Sequence, residues 1–109
     1  MASIKIMQGD SYVIPVNLTL NGYPMTPDMV DDVEVCVGEG LRKTFSEGGV
    51  GYDTSKQRWY IRPTQEETLA LEVEGYDVIA RVKFSNGTDV KGIKVGTIVV
   101  LDTHSEEVL

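Results

Sequence analysis

The chain has one cysteine and one histidine among its 109 residues, and this scarcity excludes several kinds of site. Cys36 cannot form an internal disulfide, so the fold depends on packing alone. His104 stands alone near the C-terminus, so the histidine sets of common metal centres cannot be assembled. It is also the only histidine that could act as a base, and no Gly-x-Ser-x-Gly motif of serine hydrolases occurs. The sequence therefore predicts no enzyme, no metal site and no cofactor.

Positive charge is also scarce. Ten lysines and arginines stand against 17 aspartates and glutamates, which gives a formal net charge of -7. This charge repels the phosphates of nucleic acids and the surface of anionic lipids. The longest basic run is Arg42-Lys43, and no aromatic residues are interleaved with it. We therefore expect neither nucleic acid nor membrane among the partners.

Long apolar runs are absent as well, and none approaches the length of a membrane span. Residues 3–6, close to the first methionine, lack the apolar stretch of a secretory signal, so we expect synthesis and folding in the cytosol. Hydrophobic residues at 41% and charged residues at 25% are typical of a globular protein. The length predicts a single domain over residues 1–109, with a flexible tail over about 103–109.

The clearest positive signal is a hairpin over residues 76–101. Apolar side chains recur at every second position from Tyr76 to Phe84, a period that places one row on a core and the other in water. Asn86-Gly87 predicts a tight turn, and a second apolar run from Ile93 to Leu101 returns along the first strand. A change of phase at Gly96 indicates a bulge or bend.

The same alternation predicts further strands over residues 3–7, 11–20, 33–37, 41–45 and 58–62. Pro15 has no backbone donor, so its strand is expected at a sheet edge or at a bulge. Cys36 is expected to point away from the main core. The glycine-rich residues 47–51 predict a plain loop, because no Lys-Ser/Thr pair follows them as in a phosphate-binding loop.

One short helical turn is expected near residues 64–71. Thr64-Gln65-Glu66-Glu67 matches a capping box, in which the first and last side chains bond each other's backbone amides. Leu69 and Leu71 should then point inward.

About seven short strands joined by turns, with no long helix, predict an all-β fold, specifically an antiparallel immunoglobulin-like β-sandwich. A small barrel is the alternative. Gly75-Tyr76 stands where such sandwiches often place a corner tyrosine. Two features depart from antibody domains, because Val78 occupies the place of the second cysteine and Trp59 lies on a later strand.

Several motifs along the chain resemble one known family. They are Ile6-Met7-Gln8-Gly9-Asp10-Ser11-Tyr12, Asn21-Gly22, Glu66-Glu67-Thr68, Gly75-Tyr76, and Val82-Lys83-Phe84 before Asn86-Gly87. Together they resemble the small immunoglobulin-like modules of tailed-phage and prophage structural proteins, and are most similar to the N-terminal domains of baseplate upper proteins. The resemblance spans nearly the whole chain and carries no catalytic residues.

The resemblance implies a non-catalytic virion component of the tail, baseplate or head decoration that binds other virion proteins and further copies of itself. Its implied location is the virion, after synthesis in the cytoplasm of a bacterial host. Apolar residues in the outward phase of their strands are the candidates for a contact surface. They are Val13, Ile79 and Ile98.

A second hypothesis is a carbohydrate- or ligand-binding β-sandwich that stacks its ligand on aromatic side chains. The candidates are Tyr52, Trp59 and Tyr60. It requires these aromatics to lie together on an exposed surface, whereas the phase of Trp59 is most simply explained by a place in the core.

Overall fold

A computed structural model describes residues 2–20, 22–105 and 107–109 and confirms the all-β prediction. These residues form ten short strands, one 3-10 turn (Pro27–Met29) and one five-residue helix, α1 (Gln65–Leu69). The strands are β1 (Ala2–Met7), β2 (Ile14–Val16), β3 (Thr19–Leu20), β4 (Tyr23–Pro24), β5 (Val30–Val37), β6 (Leu41–Thr44), β7 (Val50–Asp53), β8 (Arg58–Ile61), β9 (Gly75–Phe84) and β10 (Val90–Leu101).

The larger sheet has five strands in the order β1-β10-β9-β5-β6. β1 runs parallel to β10, and every other neighbouring pair is antiparallel. The predicted hairpin is confirmed as β9 and β10, the two longest strands, and lies at the centre of this sheet.

The smaller sheet has three antiparallel strands in the order β2-β8-β7, and β3 pairs with β4 as a separate hairpin. Pro15 lies on β2 at the edge of its sheet, as its missing donor predicts. The predicted strand over residues 11–20 is wrong in its length, because the chain pairs only as the short β2 and β3. The turn predicted at Asn21-Gly22 follows β3, and its first residue, Asn21, lies outside the described residues.

Side chains from both sheets form one core, and period-two alternation selects them on each strand. The larger sheet contributes Ile6, Val33, Val35, Val37, Leu41, Val78, Ala80, Val82, Ile98 and Val100, and the smaller one Ile14, Val16, Val50, Trp59 and Ile61. Cys36 is half-buried on the opposite face of β5, as predicted.

One local prediction is wrong and a second is wrong in part. The turn of the β9–β10 hairpin is a five-residue loop over residues 85–89, in which Gly87 alone of the predicted pair has a positive φ, +81°. The Asn86 side chain closes this loop by accepting from the backbone amides of Thr88 and Asp89 at 3.0 and 3.1 Å. The predicted loop over residues 47–51 is present at residues 47–49 but is wrong for its last two residues, which begin β7 because Val50 is buried and pairs with Ile61.

The predicted capping box is present at α1. The Thr64 hydroxyl accepts from the Glu67 amide at 3.2 Å, and the Glu67 carboxylate accepts from the Thr64 amide at 2.8 Å. Leu71 is buried as expected, whereas Leu69 is only partly buried and the fully buried residue of the helix is Thr68. The Thr68 hydroxyl donates to the Asp10 carbonyl at 2.9 Å, which fixes the helix to the turn after β1.

Candidate functional site

Of the three outward-phase residues predicted to form a contact surface, two are exposed. Val13 and Ile79 each retain 37% exposure, whereas Ile98 retains only 2% and lies in the core. Ile98 therefore cannot take part in an exposed surface.

The reason is the bulge that the sequence indicates at Gly96. The register of β10 against β9 shifts between Lys94 and Gly96, which reverses the face on which the later residues of β10 lie. Ile98 and Val100 consequently point into the core together with Ile4 and Ile6 of the parallel strand β1.

The aromatic residues of the ligand-stacking hypothesis do not form one exposed surface. Trp59 is 1% exposed, and its indole nitrogen donates to the Met25 carbonyl at 2.9 Å. Tyr52 and Phe45 pack edge-on against the indole, each with ring centroids 5.1 Å from it. Tyr60 lies on the opposite face of β8. The tryptophan is thus a core residue, and the predicted stacking site is wrong in its geometry.

Cys36 lies within a network of charged side chains on the outer face of the larger sheet. Glu34 lies on β5 two residues before Cys36. It pairs with Arg42 of β6 and with Arg81 of β9, the latter at 3.8 Å. Burial, followed by the nearby Glu34 carboxylate, raises the pKa of the Cys36 thiol. The thiol therefore stays protonated near neutral pH, which disfavours a nucleophilic role.

His104 is exposed, and its Nδ1 lies 3.6 Å from an Asp102 carboxylate oxygen. Within residues 2–20, 22–105 and 107–109, no three His, Cys, Asp or Glu side chains are grouped so that they could hold a metal ion. Across the same residues, no helix is both long and apolar enough to span a membrane.

An exposed apolar surface that the sequence analysis did not single out lies at the β1 edge of the larger sheet. Met7 and Leu101 face each other across β1 and β10 on the outer face, with 48% and 37% exposure. Val99, half-buried, lies beside them opposite Lys5. We call Met7, Val99 and Leu101 the β1-edge surface. The alternation of β1 could have predicted the exposure of Met7, because Met7 is adjacent to the buried Ile6 and therefore lies on the opposite face of the strand.

In the part of the chain that the structure describes, β1 pairs with β10 on one side only, so its other side is a sheet edge. The Met7 amide points to this side, where it donates to the Asp10 carboxylate at 2.8 Å. Ser3 and Lys5 share its phase along the strand, which places their backbone groups at the same edge. Such an edge is a ready template for pairing with another chain.

Comparisons with known proteins leave these surfaces to be interpreted from the chain itself. No model of a protein family matches the sequence, and no curated protein is similar enough to count as a relative.

Proposed function

We propose that the chain is an immunoglobulin-like β-sandwich that serves as a non-catalytic structural protein of a phage or prophage virion. The fold part of the proposal is supported by the order of strands. β10-β9-β5-β6 corresponds to the G-F-C-C′ order of immunoglobulin sandwiches, and β2-β8-β7 corresponds to B-E-D. A barrel would join these sheets by hydrogen bonds, and none of the strand pairs among the described residues does so.

The corner preceding β9 supports the same fold. The Tyr76 hydroxyl accepts from the Glu72 amide at 2.8 Å, four residues upstream. This is the hydrogen bond of a tyrosine corner, which immunoglobulin-like sandwiches form where the chain enters strand F. Val78 takes the place of the second cysteine and is buried, so apolar packing serves here instead of a disulfide.

The functional part of the proposal is carried by one observation, the β1-edge surface beside the unpaired edge of β1. Exposed apolar side chains that adjoin a sheet edge can be buried by a partner that adds a strand or packs on the face. The sequence resemblance to phage modules supplies the class of partner, namely other virion proteins and further copies of the chain. The net charge of -7 disfavours a role in binding the packaged nucleic acid.

The test is made on particles produced by the bacterium that encodes the chain. We expect the protein to co-purify with the virions at a constant stoichiometry through a density gradient, measured by quantitative mass spectrometry. A Met7→Asp/Leu101→Asp variant should be incorporated at least tenfold less, because charge would have to be buried at the contact. Thr54→Asp, in an exposed turn, is the matched control. Particles that lack the protein altogether would refute the virion role.

Val13 and Ile79 remain candidates for a second contact. Ile79→Asp should weaken self-association of the purified protein if the outer face of β9 packs between copies. Size-exclusion chromatography with light scattering measures this directly. An unchanged mass at equal concentration would remove Ile79 from the contact surface.

A further inference from the structure

A groove with a volume of about 770 Å³ opens at the end of the molecule opposite α1. It lies between the 3-10 turn, the β3–β4 hairpin and the 85–89 loop. We call the end of the molecule formed by these three segments the loop end. Leu20, Met29 and Phe84 form its apolar floor and pack against the core. Val90 adds an apolar wall and is 52% exposed. The volume falls in the range of typical ligand sites.

Two carboxylates line the groove beside this apolar floor. Asp28 accepts from the Thr26 hydroxyl, and Asp89 accepts from the Asn86 side-chain amide at 2.8 Å. In the part of the chain that the structure describes, neither carboxylate forms an ion pair. Lys91 also lines the groove, so two carboxylates stand against one ammonium group. The groove therefore favours a positively charged group.

An exposed tyrosine lies next to the groove. Tyr23 pairs with Leu20 across the β3–β4 hairpin, so its side chain lies on the same face as the leucine that lines the floor. Its side chain is 74% exposed. Tyrosine is enriched at energetically important positions of protein interfaces, because it offers a large apolar area and a polar tip at little cost in conformational entropy.

The walls of the groove are held in place before any partner arrives. The Ser85 amide donates to the Met29 carbonyl at 3.1 Å, which joins the hairpin loop to the 3-10 turn. The Phe84 amide donates to the Asp89 carbonyl at 2.9 Å, which closes the base of the loop. A preformed site loses less conformational entropy on binding, so it binds more tightly for the same contacts.

We propose that this groove binds an aliphatic side chain flanked by lysine or arginine, presented by a loop or terminus of a partner protein. The inference rests on the proposed function as a protein-binding module. The apolar floor accepts the aliphatic group and the carboxylates pair with its cationic neighbours. A phosphate-bearing ligand would be repelled by Asp28 and Asp89, and a simple polyamine would leave the apolar floor unused.

The test uses the full chain, labelled with nitrogen-15, and the tripeptide acetyl-Arg-Leu-Arg-amide as probe. We expect its addition to shift the backbone amide signals of Met29, Phe84, Asp89 and Val90, with binding that weakens as salt is added. Acetyl-Glu-Leu-Glu-amide and acetyl-Arg-Gly-Arg-amide, which lack the cations and the aliphatic group respectively, should shift these signals at least fivefold less. Equal shifts with the controls, or shifts scattered over the surface, would overturn the inference.

Two variants locate the binding. Asp28→Asn and Val90→Ser should each weaken the affinity for the probe at least threefold. Asp31→Asn and Val13→Ser are the matched controls, because neither Asp31 nor Val13 lines the groove. Unchanged spectra away from the substituted sites establish that each variant is folded. Equal affinity in all four variants would overturn the inference.

Measuring both probe binding and virion content of the chain separates this inference from the proposed function. A chain that is present in virions but does not bind the probe overturns the groove inference and leaves the virion role standing. A chain that binds the probe at the groove but is absent from virions overturns the virion role and leaves the chemistry of the groove established.

Discussion

The two ends of the molecule are held together in different ways. At the end that contains α1, hydrogen bonds join segments far apart in sequence. Gln8 donates to the Leu71 carbonyl at 2.8 Å, the Ser11 hydroxyl to the Pro63 carbonyl at 2.8 Å, and Thr68 to the turn after β1. In the 3-10 turn and the 85–89 loop of the loop end, the side-chain hydrogen bonds join residues at most three apart, such as Asn86 to Asp89.

This difference in hydrogen bonding indicates that one end stabilises the fold and the other is available for binding. At the helix end, these three hydrogen bonds fix the connection between β1 and β2 to the connection between β8 and β9, and each closes a loop of more than 50 residues. The loop end makes one backbone hydrogen bond between the 3-10 turn and the hairpin loop, and the other hydrogen bonds of these two segments are local. Substitutions at the helix end should therefore cost stability, and those at the loop end should cost binding.

The largest effect is expected at Gly38, whose φ is +56° and whose missing side chain leaves room for the Tyr76 ring. In Gly38→Ala the new methyl group would overlap Tyr76 Cδ1, so we expect a loss of about 3 kcal/mol from steric and backbone strain. Gly48→Ala is the control: φ there is +83°, but no atom of the described residues lies within 4 Å of the added methyl group, so about 1 kcal/mol is expected from the backbone alone. Equal losses in urea unfolding would show that the packing on Tyr76 is unimportant.

Thr68→Val removes a buried hydroxyl while keeping the shape of the side chain. The Asp10 carbonyl would lose its hydrogen bond, and we expect a cost of about 2 kcal/mol. Thr19→Val, on an exposed position of β3, should change the free energy of unfolding by less than about 0.5 kcal/mol. Chemical denaturation of both variants measures the difference, and a neutral Thr68→Val would contradict the role given to this bond.

Tyr76→Phe removes the hydroxyl of the corner and leaves the ring in place. The Glu72 amide loses its acceptor but stays near solvent, so we expect a smaller cost of about 1 kcal/mol. Tyr23→Phe, at the loop end, makes the same chemical change and should be neutral in thermal unfolding. If the two variants unfold alike, the tyrosine corner does not stabilise the fold.

The stability contributed by the helix end should also depend on pH, through the carboxyl group of Glu67. Burial alone would raise the pKa of the Glu67 carboxyl, but hydrogen bonds from Lys43, at 2.7 Å, and from Thr64 outweigh it and lower the pKa. A lowered folded-state pKa contributes stability above the unfolded value, and this contribution disappears as pH falls through the folded value. Glu67→Gln should therefore lose less stability than the unmodified chain as pH falls from about 5 to 3.

The matched control for this prediction is Glu66→Gln, which makes the same change at the exposed neighbouring position. Its melting temperature should fall with pH as steeply as that of the unmodified chain. Asp32, whose pKa is also lowered through bonds from Ser46 that outweigh its burial, is present in all three proteins and cancels from the comparison. Parallel pH profiles for the chain and Glu67→Gln would contradict the assignment.

The smallest effect on stability is expected at Asp28. Asp28→Asn keeps a group that can accept from the Thr26 hydroxyl, so the free energy of unfolding should change by less than about 0.5 kcal/mol. Differential scanning calorimetry measures this. A large loss would show that the carboxylate supports the fold, and that the loop end is not kept free for binding.

Local patterns predicted the parts of this fold that depend on local chemistry. Alternation identified β5, β8 and β9, and the capping box at Thr64 identified α1, because the evidence for each lies within a few residues. β7 was missed because the glycines at positions 48, 49 and 51, just before and inside it, resemble a loop, whereas its pairing with β8 makes it a strand. The face of Ile98 depends on the bulge at Gly96, whose direction only the pairing with β9 decides.

The groove could not be predicted from the sequence, because Leu20, Met29 and Phe84 lie on three separate elements. Each alone is an ordinary apolar residue at the end of a strand or turn. The pairing of Val30 with Phe84, and the bond from Ser85 to Met29, bring Met29 and Phe84 together from segments more than 50 residues apart.

The central claim, an anchored end and an open end, is tested most directly by hydrogen exchange of backbone amides in the full chain, followed by NMR. The Glu72 and Gly38 amides, bonded to the Tyr76 hydroxyl and the Asp77 carbonyl, should exchange at least tenfold more slowly than those of Thr88 and Asp89 after correction for intrinsic rates. Equal protection at the two ends, or faster exchange at Glu72 and Gly38, would contradict the account.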